Sequence, residues 1–279
     1  MKLVDKKDNL KRLQQVELSI LKDFDQFCKE NNLKYYLTYG TLLGAVRHKG
    51  FIPWDDDVDV FMKGEDYIKL EEIYNKVNTN KKYFLQDLSS EKNYYLLWDK
   101  IRLNNTLFVE KGWEDNEINN GIFIDIFPLI EVPSNKISNK LFSSKFKLLH
   151  ILTDLKLKNN KRYANYGLSG KILSKIFSII PKKVRNKYII KTVKKLCLYK
   201  SNSNKYATFD MDYNFKLNKG NFDKQVLLPF EDTKLCVPIG YEEVLKKCYG
   251  NYLKLPQKKD RTGHGMVYLS FGDDDTEKK

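Results

Sequence analysis

The chain has 279 residues, of which 42% are hydrophobic and 13% aromatic, so it can bury a core and is not of the disordered class. No run of about 20 apolar residues is present to span a bilayer, and the start, MKLVDKKDNLKRL, lacks the apolar stretch of a secretory signal, so a cytoplasmic location is expected. The net charge of +14 is unevenly placed: Ser134 to Lys205 holds 17 Lys and 2 Arg against Asp154, which makes +18 and leaves −4 elsewhere, so any polyanion or anionic membrane should be met by that segment.

In chain order, residues 7 to 31 set Leu10, Leu13, Val16, Ile20, Leu21, Phe24 and Phe27 at helical spacings and stop at Asn31-Asn32, which predicts a long amphipathic helix. KYYLTYG reads as a short strand, Gly40 as a turn, and TLLGAVRHKG as a helix broken by Gly50 and Pro53. VDVFM reads as a strand and GEDYIKLEEIYNKV as a helix, with further strands around Phe84, Trp98 to Leu103, Leu107 and Ile122 to Phe127. This succession predicts an α/β (α+β) sheet domain. From Ser134 to about Lys200 apolar residues recur every three or four positions among lysines, which predicts a helical region. A hairpin across VLLPFEDTKLCVP, a helix from Tyr241 to Cys248 and a disordered tail GDDDTEKK complete the reading.

The four cysteines, Cys28, Cys197, Cys236 and Cys248, form no CxxC pair and read as reduced packing thiols, ahead of a zinc site built from Cys236, Cys248 and His264.

The chemistry concentrates in residues 35 to 62, YYLTYGTLLGAVRHKGFIPWDDDVDVFM. Asp57 and Asp59 lie two apart on an expected strand, so both carboxylates share a face while Val58 and Val60 turn to the core. Oxygen ligands at that spacing favour Mg²⁺ or Mn²⁺, and such ions serve in-line attack at phosphorus. Asp125 in GIFIDIFP is the candidate third acid, because an Asp in so apolar a strand is costly to bury without a partner. Gly40-Thr41, joining strand to helix, offers backbone N–H groups to a phosphate. Asp55 and Asp56 read as turn residues, with a second metal as the sharper alternative.

The Gly-Thr turn, acid-x-acid strand and later third acid resemble the nucleotidyltransferase superfamily, with a longer gap from Thr41 to Asp57 than is usual there. GTLLGAVR, IPWDDDVD and GIFIDIFPL resemble the LicD family of phosphocholine transferases in particular. The likeness is strong over residues 35 to 62 and 121 to 130, moderate over DKIRLNNT and loose over YGNYLKLPQKKDRTGHG. It implies a mixed sheet flanked by helices; together with the charge and helical period of the middle of the chain, the expected division is a catalytic core over 1–133, a basic helical region over 134–205 inserted in or appended to the sheet, and a segment over 206–279 that completes the catalytic domain.

The resemblance also implies an activity: transfer of phosphocholine, or a related substituted phosphate, from a cytidine diphosphate donor such as CDP-choline to a hydroxyl of a lipid-linked cell-surface glycan. Mg²⁺ (or Mn²⁺) would sit on Asp57, Asp59 and Asp125, and Asp125 would take the acceptor proton. Arg47, His48, Lys100 and Arg102 are the cations expected near the phosphates. Trp54, Trp98, Trp113 and the Tyr94-Tyr95 pair are available to cage a quaternary ammonium, and His264 to the acceptor side. For each of these the plainer reading is packing or a solvated charge.

Two other readings stay open. A nucleotidyltransferase acting on nucleic acid or a small molecule would use the same acids, though the Lys-rich, Arg-poor segment makes nucleic acid the less expected partner. A non-catalytic basic protein docking on a membrane would use residues 134 to 205 alone.

Overall fold

A computed structural model describes residues 6–77, 81–111, 113–114, 117–156 and 167–272. Helix α1 (Lys6–Glu30) buries Leu13, Ile20, Leu21 and Phe24 along one stripe. It stops where Asn32 takes φ 53°, a left-handed conformation that Asn tolerates, and Leu33 N–H closes on the Cys28 carbonyl. Strand β1 (Tyr35–Leu37) leads directly into α2 (Tyr39–Arg47). Then come β2 (Asp59–Lys63), α3 (Gly64–Val77), β3 (Tyr83–Gln86), β4 (Asp99–Leu103), β5 (Leu107–Glu110) and β6 (Phe123–Glu131).

The main sheet runs β1-β2-β6-β4-β3. Only the central β2–β6 pair is parallel among these neighbours; β1–β2, β4–β6 and β3–β4 are antiparallel. The fold is therefore the mixed α/β sheet that the sequence predicts. β6 is buried from Phe123 to Ile130, a strand covered on both faces. Pro128 is tolerated in it for a local reason. Asp125 N–H donates across to Val58 on the β2 side, so by alternation position 128 faces the other side, where β4 has ended at Ile126 and the next partner begins at Ile130.

Among the described residues the basic region forms three helices, α4 (Lys136–Asp154), α5 (Leu168–Ser178) and α6 (Lys182–Cys197), of which α6 packs on α3 and β6. The chain then returns to the sheet. β7 (Lys205–Ala207) pairs with the end of β6 and with β8 (Leu217–Asn218). The hairpin β9 (Gln225–Phe230) and β10 (Thr233–Pro238) packs on β1, α7 (Tyr241–Tyr249) packs on α2, and β11 (Met266–Ser270) pairs with β5. No helix among the described residues is long and apolar enough to cross a membrane. All four cysteines are free, and His264 is turned to Asp56 rather than to Cys236 or Cys248. Most of the tail expected to be disordered, residues 273–279, lies outside the described residues.

Candidate active site

Two of the expected metal acids are placed by the sheet itself. In the parallel register Asp59 stands opposite Asp125, and Lys100 of β4 stands opposite Asp125 on the other side. The two acids are thus neighbours on adjacent central strands. β2 begins at Asp59, so Asp57 lies just ahead of the strand rather than on it, while Val58 and Val60 are fully buried as their alternation requires. The stretch before them is pinned from two sides. The Gln14 amide of α1 donates to the carbonyls of Ile52 (3.2 Å) and Asp55 (2.9 Å), and Glu231 in the β9–β10 turn accepts from Phe51 N–H at 2.9 Å.

These acids open into a cavity of about 900 Å³, walled by α2, the Asp-rich turn, β4, β6 and residues 249 to 264. Asp125 is held by Lys100 Nζ at 2.7 and 2.8 Å and accepts from Trp98 Nε1 at 2.8 Å. Asp56 accepts from His264 backbone N–H at 2.9 Å, and the His264 ring lies 3.0 Å from Asp56 and 3.5 Å from Asp57. Burial pushes the Asp57 carboxyl up to about 8, reinforced by Asp55, and that of Asp55 up to about 6, reinforced by Asp56. Burial, then Asp57 and Asp125, drives Asp59 well above the ordinary carboxylate range. The hydrogen bond to Asp56 raises His264 to about 10.

Lys100 thus offsets Asp125 and His264 offsets Asp56 and Asp57, whereas Asp59 forms no ion pair with a described residue. A buried surplus of carboxylate oxygen fits a hard divalent cation of the Mg²⁺ type. Among the described residues, the set whose ligand atoms already lie within 4.8 Å of one another is Asp56, Asp57 and His264; Asp59 and Asp125 lie outside it, Asp125 being drawn to Lys100.

The other expected residues are distributed unequally. Gly40 lines the cavity, and a Cβ on it would come within 2.5 Å of Asp55 Oδ2, so the close approach of that acid requires glycine. The Thr41 hydroxyl is buried and accepts from Asp59 N–H at 2.9 Å, fastening α2 to the acid strand. Arg47 lines the cavity and donates to the Tyr252 carbonyl at 3.0 Å. His48 stands behind it and is not part of the cavity wall; burial and Arg47 push its pKa down. Trp54 lines the cavity beneath the Arg261 guanidinium, 5.2 Å above its ring. Arg102 is buried and committed to Gln86 (2.5 Å) and the Gly121 carbonyl (2.7 Å). Tyr95 and Trp113, stacked at 4.9 Å, line the cavity together with Trp98.

Three residues escaped the sequence reading. Asp210 reaches the cavity from beyond the basic helices, hydrogen-bonded to Thr208, with burial pushing its carboxyl up to about 6. No motif surrounds it. Tyr39 holds φ 44°, rare for a non-glycine residue, with its ring edge-on to Phe61 and Phe127. Glu17, inside the apolar stripe of α1, is fully buried with no hydrogen-bond partner among the described residues, and burial with Asp57, Asp56 and Asp55 raises it well above its ordinary value. A carboxylate at a core position of a helical stripe is the signal that could have found it.

Known proteins are similar to this chain over the residues that form the cavity. A family model described as LicD/FKTN/FKRP, nucleotidyltransferase domain, matches residues 32–158, which contain Gly40, here inside the first turn of α2 rather than in a turn before it, the Asp-rich turn and Asp125. Over 267 residues the chain is 30% identical to the lipopolysaccharide cholinephosphotransferase LicD of Haemophilus influenzae, covering 93% of this chain and 97% of that protein. An uncharacterized protein of Rickettsia prowazekii is 50% identical over 54 residues, 19% of this chain and 20% of its own. Since the similarity to the Haemophilus protein runs through the central strands, the basic helices and the returning C-terminal segment alike, the chain belongs to the LicD family.

Proposed function

We propose that this protein transfers phosphocholine, or a related substituted phosphate, from CDP-choline or a similar cytidine diphosphate donor to a hydroxyl of a lipid-linked cell-surface glycan, with Mg²⁺ (or Mn²⁺) as cofactor. The observation that carries the reading is that acids and aromatic side chains line one cavity of about 900 Å³, in a chain similar along its length to a cholinephosphotransferase. A diphosphate supplies oxygens to a cation held by Asp57 and Asp59, and a quaternary ammonium suits the faces of Trp98, Tyr95 and Trp113. Mg²⁺ bound there would polarise the diphosphate and offset charge on the CMP leaving group.

The acceptor oxygen attacks the phosphorus that bears the alcohol. That new O–P bond forms as the bond from the same phosphorus to the bridging oxygen breaks, releasing CMP, and the hydroxyl proton passes to Asp125. Lys100 and Trp98 hold Asp125 in place for this, and Arg47 stands at the rim to meet phosphate oxygens. A lipid-linked acceptor sets the enzyme at the inner face of an anionic membrane, with its basic helices toward the headgroups.

The test incubates the protein with Mg²⁺ and a panel of cytidine diphosphate alcohols and follows products by phosphorus NMR. Release of CMP, greatest with CDP-choline and abolished by chelation, is expected. Cytidylate attached to the acceptor, or a response to nucleoside triphosphates alone, would make it a nucleotidyltransferase.

A further inference from the structure

Helix α5 is amphipathic the wrong way round for a soluble protein. Leu168, Ile172, Ile176 and Ile179 recur at i, i+4, i+8 and i+11, one face of the helix, and are 79%, 51%, 53% and 83% exposed. On the opposite face Ser174 is buried, and Phe177 packs against the main core. The polar side chain is inside and the aliphatic row is outside. Single exposed aliphatics need no explanation, but a row of four on one short helix marks a binding surface. Neighbouring α4 adds exposed Ile137 and Leu141.

The charge around this row selects its occupant. Lys171 and Lys175 flank it, and Lys182, Lys183 and Lys187 follow on α6. Between Ser134 and Lys205 the one acid is Asp154, which is buried, so this region shows no exposed carboxylate. A second copy of the chain would bring a like charge of +18 against +18. A nucleic acid would engage the lysines and leave the aliphatic row in water. Lysines at the margin of an aliphatic row suit a surface that is anionic at the headgroups and apolar beneath, which is a leaflet of acidic phospholipid.

We infer that α5 is a membrane-insertion element, its Leu168–Ile179 row entering the acyl boundary while the surrounding lysines hold acidic headgroups. This deepens the proposed membrane location and rests on it, but is independent of the transfer chemistry.

The test compares the wild-type protein with the combined variant Ile172→Ser, Ile176→Ser, Ile179→Ser, by co-sedimentation with vesicles of phosphatidylcholine and of phosphatidylcholine–phosphatidylglycerol. The wild type should bind the anionic vesicles and not the neutral ones. The variant should keep its melting temperature and its rate of CDP-choline cleavage in solution, yet lose vesicle affinity by at least about tenfold. In Ile176→Trp, brominated acyl chains should quench the added fluorescence. Equal binding of variant and wild type to anionic vesicles overturns insertion and leaves a purely electrostatic membrane contact. Absence of wild-type binding overturns the membrane location as well. Wild-type dimers in gel filtration that the variant converts to monomers, without vesicle binding, would assign the row to self-association.

Discussion

At Asp125 a carboxylate sits between Ile124 and Ile126 in a strand buried from Phe123 to Ile130, and Lys100 on the neighbouring strand makes that placement tolerable. Removing one partner of a buried pair strands the other charge, so Lys100→Met should cost about 3–5 kcal/mol in chemical denaturation as well as activity. Asp57 and Asp59 are different, because burial and the neighbouring carboxylates, Asp55 for Asp57 and Asp57 for Asp59, already disfavour their ionised forms. Asp57→Asn and Asp59→Asn should each lower turnover by about 100-fold or more, beyond what losing a mere support of a metal ligand costs, with the melting temperature kept or raised. Turnover within a few-fold of wild type would show that the cation is held elsewhere. Asp210 tests the same physics through pH. Its folded value, about 6, exceeds the ordinary 3.8, so the protonated acid favours the fold below about pH 4 and the advantage is lost as pH rises through 6. Asp210→Asn should therefore stabilise the protein by about 1–2 kcal/mol at pH 8 and by nothing near pH 4, read from melting curves across pH.

Helix α2 ties the cavity to its surroundings through two glycines with different neighbours. At Gly40 an added Cβ meets the end of the Asp55 side chain, which can swing away; at Gly44 it would lie 2.4 Å from the Gly50 carbonyl oxygen, which is backbone. Gly40→Ala should consequently lower activity by displacing Asp55 while leaving stability nearly unchanged. Gly44→Ala should destabilise by about 1–3 kcal/mol because backbone must move. Thermal denaturation beside a donor-cleavage assay separates the two, and equal losses of stability would refute the distinction.

Across the whole molecule, the last quarter of the chain supports the first. The β9–β10 hairpin packs on β1, α7 packs on α2, and β7 extends the sheet from the end of β6. The cavity borrows Asp210, Tyr249, Tyr252 and His264 from this segment. A chain ending at residue 205 should thus lose its cooperative unfolding transition, measured by circular dichroism, rather than keep a separately folded core. A sharp transition in that truncated chain would show that residues 1–205 fold alone.

Period and spacing in the sequence were enough for the long first helix, the strands around the Asp-rich turn, the C-terminal hairpin and the charge asymmetry, because each depends on neighbours within a few residues along the chain. The motifs of residues 35 to 62 and 121 to 130 were enough for the family. Only the tertiary structure decided how those residues meet. The parallel register sets Asp59 beside Asp125, Lys100 closes on Asp125 from another strand, and His264 reaches Asp56 across 208 positions of sequence. The same holds for Thr41, whose hydroxyl is used by Asp59 N–H, and for His48, which packs behind Arg47. It holds most of all for α5, whose helical period reads the same whether its aliphatic row faces inward or out. Which face is buried depends on what α4 presents to it, and that is a property of packing rather than of local sequence.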